Sequence, residues 1–167
     1  MVFLIQRCFF RVVCYNSHKQ VRKAHLAPSA YDQFWREKMD RAALETYITE
    51  NYSAEADHPW ARYPDYTVFR NGNNKKWFAV IMKIPRARLG CPGEDVLDVV
   101  NLKCDPLMLG SLLLEPGFFP AYHMNKNNWI TATLDGSAAE ETIKILLDMS
   151  FDATAVKRRK RIAPDDK

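Results

Sequence analysis

A chain of 167 residues, 47% hydrophobic and 26% charged, is long enough for one ordinary domain with a real core and too short for two full ones. No run of 18 apolar residues is free of charge, which excludes a membrane-spanning helix. The net charge of +4 is split: residues 1–38 carry 7 Lys+Arg against 2 Asp+Glu, residues 39–156 carry 11 against 16, and residues 157–167 carry 6 against 2.

The division is therefore a basic, partly apolar N-terminal extension (1–38), an acidic central domain (39–156) and a basic tail (157–167). Phosphate binding by the centre would have to come from a local patch, because the domain's overall field is repulsive. Met1 to Val13 is apolar but broken by Arg7 and Arg11, with no acidic residue before Asp32. A secretory signal needs an uninterrupted apolar stretch, so that reading fails. An Arg-rich organelle presequence, an amphipathic surface anchor and an added leader stay open. The leader is preferred, since the pattern of a domain start begins at Met39.

From Met39, Leu44, Tyr47, Ile48 and Tyr52 recur at helical spacing and predict one buried stripe, with Tyr31 to Lys38 a helical extension before it. His58-Pro59-Trp60 is expected to end that helix. Thr67 to Arg70 and Lys75 to Ile84, rich in β-branched and aromatic residues, read as a hairpin whose Asn71-Gly72 supplies positive φ. Val96 to Lys103, with a mixture on both faces, reads as an interior or half-covered strand. Asp105-Pro106 starts a short helix, because Asp accepts from first-turn amides and Pro fits the first helical position. Trp129 to Leu134 forms a fourth strand. Ser137 and Glu140 are expected to form a capping box on a last helix with the stripe Ile143, Leu146, Leu147 and Phe151. The predicted class is α+β, an antiparallel-rich sheet with helices packed on one side in the order α-β-β-β-α-β-α.

Cys8, Cys14, Cys91 and Cys104 stand 6, 77 and 13 apart, with no pair spaced as a zinc knuckle or redox motif, and read as thiols of a reducing cytoplasm. His18, His25, His58 and His123 are scattered, and no phosphate-loop or dinucleotide-binding glycine motif occurs. No catalytic residue, metal site or cofactor is expected, and the chain reads as non-enzymatic.

The densest block is Pro116-Gly117-Phe118-Phe119-Pro120-Ala121-Tyr122-His123-Met124-Asn125-Lys126-Asn127-Asn128-Trp129, closing at Asp135-Gly136. With Tyr63-Pro64-Asp65-Tyr66-Thr67-Val68-Phe69-Arg70, Lys75-Lys76-Trp77-Phe78-Ala79 and Asn101-Leu102-Lys103-Cys104-Asp105-Pro106, it resembles the MmcQ/YjbR family over residues 39 to about 155. Asn128 stands where that family's signature has His. The resemblance implies a CyaY-like (frataxin-like) fold, a curved antiparallel sheet packed by helices, and DNA binding through a wing-like surface.

Read from the residues, Arg70, Lys75 and Lys76 flank the hairpin turn, and Lys83, Arg86 and Arg88 follow on the same stretch. A protruding basic hairpin can set its cations against phosphates, whereas lysine beside a turn also serves solubility and edge protection. Tyr122, His123, Asn125, Lys126 and Trp129 form a candidate ligand or signature loop. Its bland reading is that Tyr122, Met124 and Trp129 pack the core while Asn and Lys brace the loop. The run Lys157, Arg158, Arg159, Lys160 and Arg161 would add salt-sensitive affinity for any polyanion, RNA included, or is a plain solvated tail. DNA is the expected partner, and the competing reading is a protein-interaction or small-ligand module.

Overall fold

The computed structural model describes residues 39–155. The N-terminal extension, the expected helix over Tyr31 to Lys38 and the tail residues Lys157, Arg158, Arg159, Lys160 and Arg161 lie outside the described residues.

Asp40 opens α1 (Arg41–Asn51), its carboxylate accepting from Ala43 N at 2.9 Å. The predicted stripe is the buried one: Leu44 and Ile48 are fully covered, with Tyr47 and Tyr52 packed against the same core. The helix ends at Tyr52, before the Pro59 turn, because a strand intervenes: β1 (Ala54–Asp57) pairs antiparallel with β2 (Thr67–Asn71). Then come β3 (Trp77–Pro85), a single 3-10 turn (Arg86–Leu89), β4 (Val96–Lys103), α2 (Pro106–Leu112), β5 (Phe118–Pro120), β6 (Trp129–Thr133) and α3 (Glu140–Thr154). The six strands form one antiparallel sheet in the order β1-β2-β3-β4-β6-β5.

The strand and helix sequence is the predicted one with two short strands added, both at edges. β1 and β5 have four and three residues, too few to show a period of two, and their existence depends on the partner strand. β4 is interior, the first of the two placements its mixed pattern allowed, held between β3 and β6.

The sheet separates two apolar layers. On one side Phe69, Phe78, Ile81, Val100, Leu102 and Ile130 meet Leu44, Ile48, Leu112, Ile143, Leu146 and Leu147 of the three helices. Each fully buried aliphatic or aromatic side chain contributes about 1.5–3 kcal/mol, so this layer dominates stability. On the other side Val68, Val80, Met82, Ile84, Leu97 and Val99 are packed, among the described residues, by Trp60, Tyr66, Tyr122 and Met124 of the loops, Leu89 of the 3-10 turn and Trp77. A bulge makes the division possible. Phe69 pairs with Ala79 but Arg70 pairs with Trp77, so Phe78 is the extra residue and turns into the helix-side core while Trp77 lies on the loop-covered face.

Two expected local devices differ. Gly72 is not in the positive-φ region of the hairpin; Lys75 is, at φ 61°. Gly72 is required for close approach, since a Cβ there would lie 2.9 Å from the Ser53 carbonyl oxygen, to which the Gly72 amide donates at 2.8 Å. The capping box does not form either. Ser137 is held in a turn by Asp135 Oδ1, which accepts from its amide at 3.0 Å, and its hydroxyl also meets Thr133 Oγ1 at 2.7 Å. α3 therefore starts after Ala139 without a side-chain cap, and Glu140 pairs with Lys144 instead.

Candidate nucleic-acid interface

The basic residues that follow one another in sequence around β3 are divided by the fold between its two ends. β3 has nine residues, so at about 3.3 Å per residue its ends stand roughly 26 Å apart. Lys75 and Lys76 are at the hairpin end; Arg86 and Arg88 are at the other. No single wing collects them.

At the far end Arg86 is committed to structure. Its Nε donates to Asp95 Oδ2 at 2.8 Å and its Nη2 lies 3.6 Å from Asp135 Oδ2, tying the 3-10 turn to the loops before β4 and after β6. The hydrogen bond to Asp95 holds the guanidinium pKa above its ordinary value. Asp135 is held below its ordinary value: burial pushes it up, but hydrogen bonds from Ser137 and Thr133 and the charge of Arg86 outweigh that. Arg88 is exposed on the 3-10 turn, and Lys83 is exposed on the helix side of the sheet, across from Asp98.

The hairpin end is assembled from four segments. Arg70 is bonded by Nε and Nη2 to Asp57 Oδ2, at 2.9 and 2.7 Å, and lies 5.3 Å from the Trp77 ring centroid. Lys75 pairs with Glu55 on neighbouring β1. Lys76, Lys103 and Lys126 form no salt bridge among the described residues. Lys103 ends β4 directly across from Trp129, with its ammonium 5.6 Å from that ring's centroid. Burial, and after it the positive charge of Lys76, lower its pKa. Lys76 is thus near enough for its charge to act on Lys103, and neither lysine has a salt-bridge partner among the described residues.

The end of α3 reaches the same place. Asn74 Nδ2 donates to the Thr154 carbonyl at 2.5 Å, and Asn71 Nδ2 to Thr154 Oγ1 at 3.4 Å. The chain thus leaves the described residues at Ala155, beside the hairpin tip and two residues before Lys157.

The signature loop divides between structure and surface. Thr131 Oγ1 donates to Asn101 Oδ1 at 2.5 Å and accepts from Tyr122 N at 2.9 Å, while Asn101 Nδ2 donates to the Tyr122 carbonyl at 2.7 Å. This closed network bolts the loop onto β4 and β6. Trp129 is buried and Tyr122 half-buried, so they pack, whereas His123, Asn125 and Lys126 are exposed. His123 is held at φ 55°, its ring edge-on to Tyr122 with centroids 4.1 Å apart. Asn125 Oδ1 accepts from Asn127 N at 2.9 Å, an internal brace of the turn into Trp129. Among the described residues no three His, Cys, Asp or Glu side chains are grouped to hold a metal ion, and no helix is long and apolar enough to cross a membrane.

The YjbR family model matches residues 49–153. The chain belongs to the YjbR family. Its relatives include the uncharacterised Bacillus subtilis (strain 168) protein YyaQ, 34% identical over 116 residues, covering 70% of this chain and 98% of YyaQ. The uncharacterised Escherichia coli O157:H7 protein YbdF is 30% identical over 112 residues, covering 63% of this chain and 80% of YbdF. Among solved structures, a Pseudomonas syringae protein matches with a TM-score of 0.68 at 43% identity, over 70% of this chain and all of that one. A Deinococcus radiodurans protein described as a DUF419 domain shares the fold, with a TM-score of 0.55 at 22% identity over 74% of this chain and 84% of its own.

Within this YjbR domain, sequence reasoning passed over Lys103 and the open-face residues Trp60, Arg62, Tyr63 and Tyr66. Lys103 had one available signal, a charge closing an apolar strand. Its neighbours Lys76 and Trp129 are 27 and 26 positions away, and only strand pairing brings them together.

Proposed function

We propose that this YjbR-family chain is a non-enzymatic DNA-binding protein of the cytoplasm that meets the phosphate backbone at the hairpin end of its sheet. The contacts are Lys76, Lys103 and Lys126, with Lys75 released from Glu55 as phosphate arrives and the tail cations Lys157 to Arg161 following from the end of α3. The observation that supports the reading most is that Lys76 and Lys103, close enough for the charge of one to lower the pKa of the other, have no salt-bridge partner among the described residues, in a domain that otherwise carries excess acid. Like charges held together at the rim of a stable sheet are unfavourable in isolation and become favourable when a polyanion covers them. Arg86 and Arg88 take no part in this reading.

The test is fluorescence anisotropy of a labelled DNA duplex against the full chain and Lys76→Ala/Lys103→Ala, across a salt series. Binding that weakens about tenfold or more in the double variant, with a shallower salt dependence, supports the proposal. Equal binding by the two proteins overturns it.

A second reading rests on the opposite layer. Leu107 of α2 is 91% exposed, and Leu114 and Ile145 are 64% and 55% exposed. Large apolar side chains displayed on the helix side favour a protein partner there.

A further inference from the structure

The loop between β1 and β2 lays a run of aromatic rings across the sheet face that carries no helix among the described residues. From the hairpin, Trp77 meets Trp60 edge-on at 5.5 Å between centroids, Trp60 meets Tyr66 edge-on at 6.1 Å, and Tyr66 stacks on Tyr63 at 5.0 Å with 19° between the planes. A guanidinium stands at each end, Arg70 5.3 Å from the Trp77 centroid and Arg62 6.0 Å from the Tyr63 centroid. The loop is rigidly placed. Tyr63 N donates to the Trp60 carbonyl at 2.9 Å, Tyr66 N to the Tyr63 carbonyl at 3.0 Å, and Arg41 on α1 donates to the Asp65 carbonyl at 2.8 Å.

Trp60, Tyr66 and Trp77 complete the second apolar layer and are half-buried, which accounts for them as packing. Packing does not account for Tyr63. It is 47% exposed, stacked on the outside of the layer, and lies at the end of a ring series that begins next to Lys76.

We propose that this ring series is a stacking platform for the bases of single-stranded nucleic acid, whose phosphates are met by the hairpin-end lysines. The inference rests on the nucleic-acid reading above and adds the strand form. In a duplex the base faces are stacked on one another and closed to protein rings, so only phosphate and groove contacts remain. An unpaired strand offers bare base faces, and aromatic side chains beside a cationic track are the groups that take them up without reading sequence. Charge complementarity runs the same way: Lys76 and Lys103 lie at the Trp77 end, where a backbone following the rings would arrive.

The test uses the full chain and anisotropy at one fixed salt with labelled oligo-dT, oligo-U and a DNA duplex, for the unaltered protein, Tyr63→Ala and Tyr63→Phe. The expected result is tighter binding of the single strands than of the duplex. Tyr63→Ala should lose about five- to tenfold on the single strands with duplex binding unchanged, and Tyr63→Phe, which keeps the ring, should lose little. Tighter oligo-dT than oligo-U binding assigns the platform to DNA, and the reverse assigns it to RNA; either supports stacking. Equal affinity for single strand and duplex with no effect of Tyr63→Ala overturns the platform and leaves the phosphate-contact proposal standing. Failure of all three probes to bind overturns both. Because Tyr63 is largely exposed, thermal unfolding of Tyr63→Ala should match the unaltered protein and separate lost binding from lost folding.

Discussion

The side-chain amide of Asn74, at the tip of the β2–β3 hairpin, donates to the backbone carbonyl of Thr154, the last residue of α3, across 2.5 Å of space and 80 residues of sequence. The bond satisfies a carbonyl that the helix end leaves without an intrahelical partner. It also fixes the point from which the basic tail departs, next to Lys75 and Lys76. Asn74→Ala removes the tether with little loss of packing. It should lower stability by about 1 kcal/mol in urea unfolding and weaken DNA binding of the full chain a few-fold. Asn74 Oδ1 also accepts from Lys76 N at 3.0 Å, so removal of residues 157–167 should narrow the difference in binding between Asn74→Ala and its parent and leave the part that comes from Lys76.

Lys76 and Lys103 reach the surface without acidic partners among the described residues, so each should neutralise one phosphate. The slope of log affinity against log salt should become shallower by about 0.9 for each lysine removed, roughly 1.8 for Lys76→Ala/Lys103→Ala on a duplex. Arg86→Ala should instead leave the slope unchanged and lower stability, since its guanidinium is spent on Asp95 and Asp135. A slope that responds to Arg86 and ignores Lys103 would reverse the assignment of ends.

Because the Lys103 pKa is lowered, its positive form is disfavoured in the free protein and the proton leaves at lower pH than from an ordinary lysine at 10.5. Phosphate favours the charged form, so binding takes up a proton over the window below the ordinary lysine value, and affinity should fall as pH rises through it. Lys103→Arg, which stays charged, should show a flatter alkaline profile. For folding the sign is opposite: the unaltered protein should gain stability as pH rises through the folded-state pKa of Lys103, because the unfolded chain binds the proton more tightly.

Asp135 sits in the reverse situation. Its folded-state pKa is below the ordinary value, so its contribution to stability is fully present above that value and is lost as pH falls through the lower one. Asp135→Asn should cost about 1–2 kcal/mol at neutral pH, and the gap should close in acid. A gap of constant size from neutral pH into the acid-unfolding range would show that the charge on Asp135 is not the source.

Asn101 is fully buried between Thr131 and the Tyr122 carbonyl. Asn101→Ala strands a buried hydroxyl and a buried carbonyl together, so the loss should be about 2–3 kcal/mol by chemical denaturation. Nuclear magnetic resonance shifts should move at Tyr122 and His123, whose loop the network holds, and stay unchanged at Asn74.

The amino-acid sequence by itself determined the elements whose signals are local. The stripe of α1, the Asp105-Pro106 start of α2, the stripe of α3 and the interior character of β4 all follow from periodicity, capping chemistry and apolar content within one segment. The signature around Tyr122 to Trp129 and the segments from Tyr63 to Arg70 were enough to indicate the family. Two local readings failed because another partner competed: Gly72 approaches the Ser53 carbonyl of a distant segment, and Ser137 is taken up in a turn by the Asp135 carboxylate two residues before it.

Only the tertiary structure decided which charges stand near one another. In sequence, Lys75, Lys76, Lys83, Arg86 and Arg88 form one basic stretch; in space a nine-residue strand drives its ends apart, and pairing with Glu55 and Asp95 neutralises two members. Strand pairing sets Lys103 across from Trp129 and near Lys76, and the loop between β1 and β2 brings Trp60 against Trp77. The reason is physical. Helix and strand periods are encoded in neighbouring residues, whereas a binding surface is a sum of side chains across strands, and its electrostatics depend on distances that only the registered sheet sets.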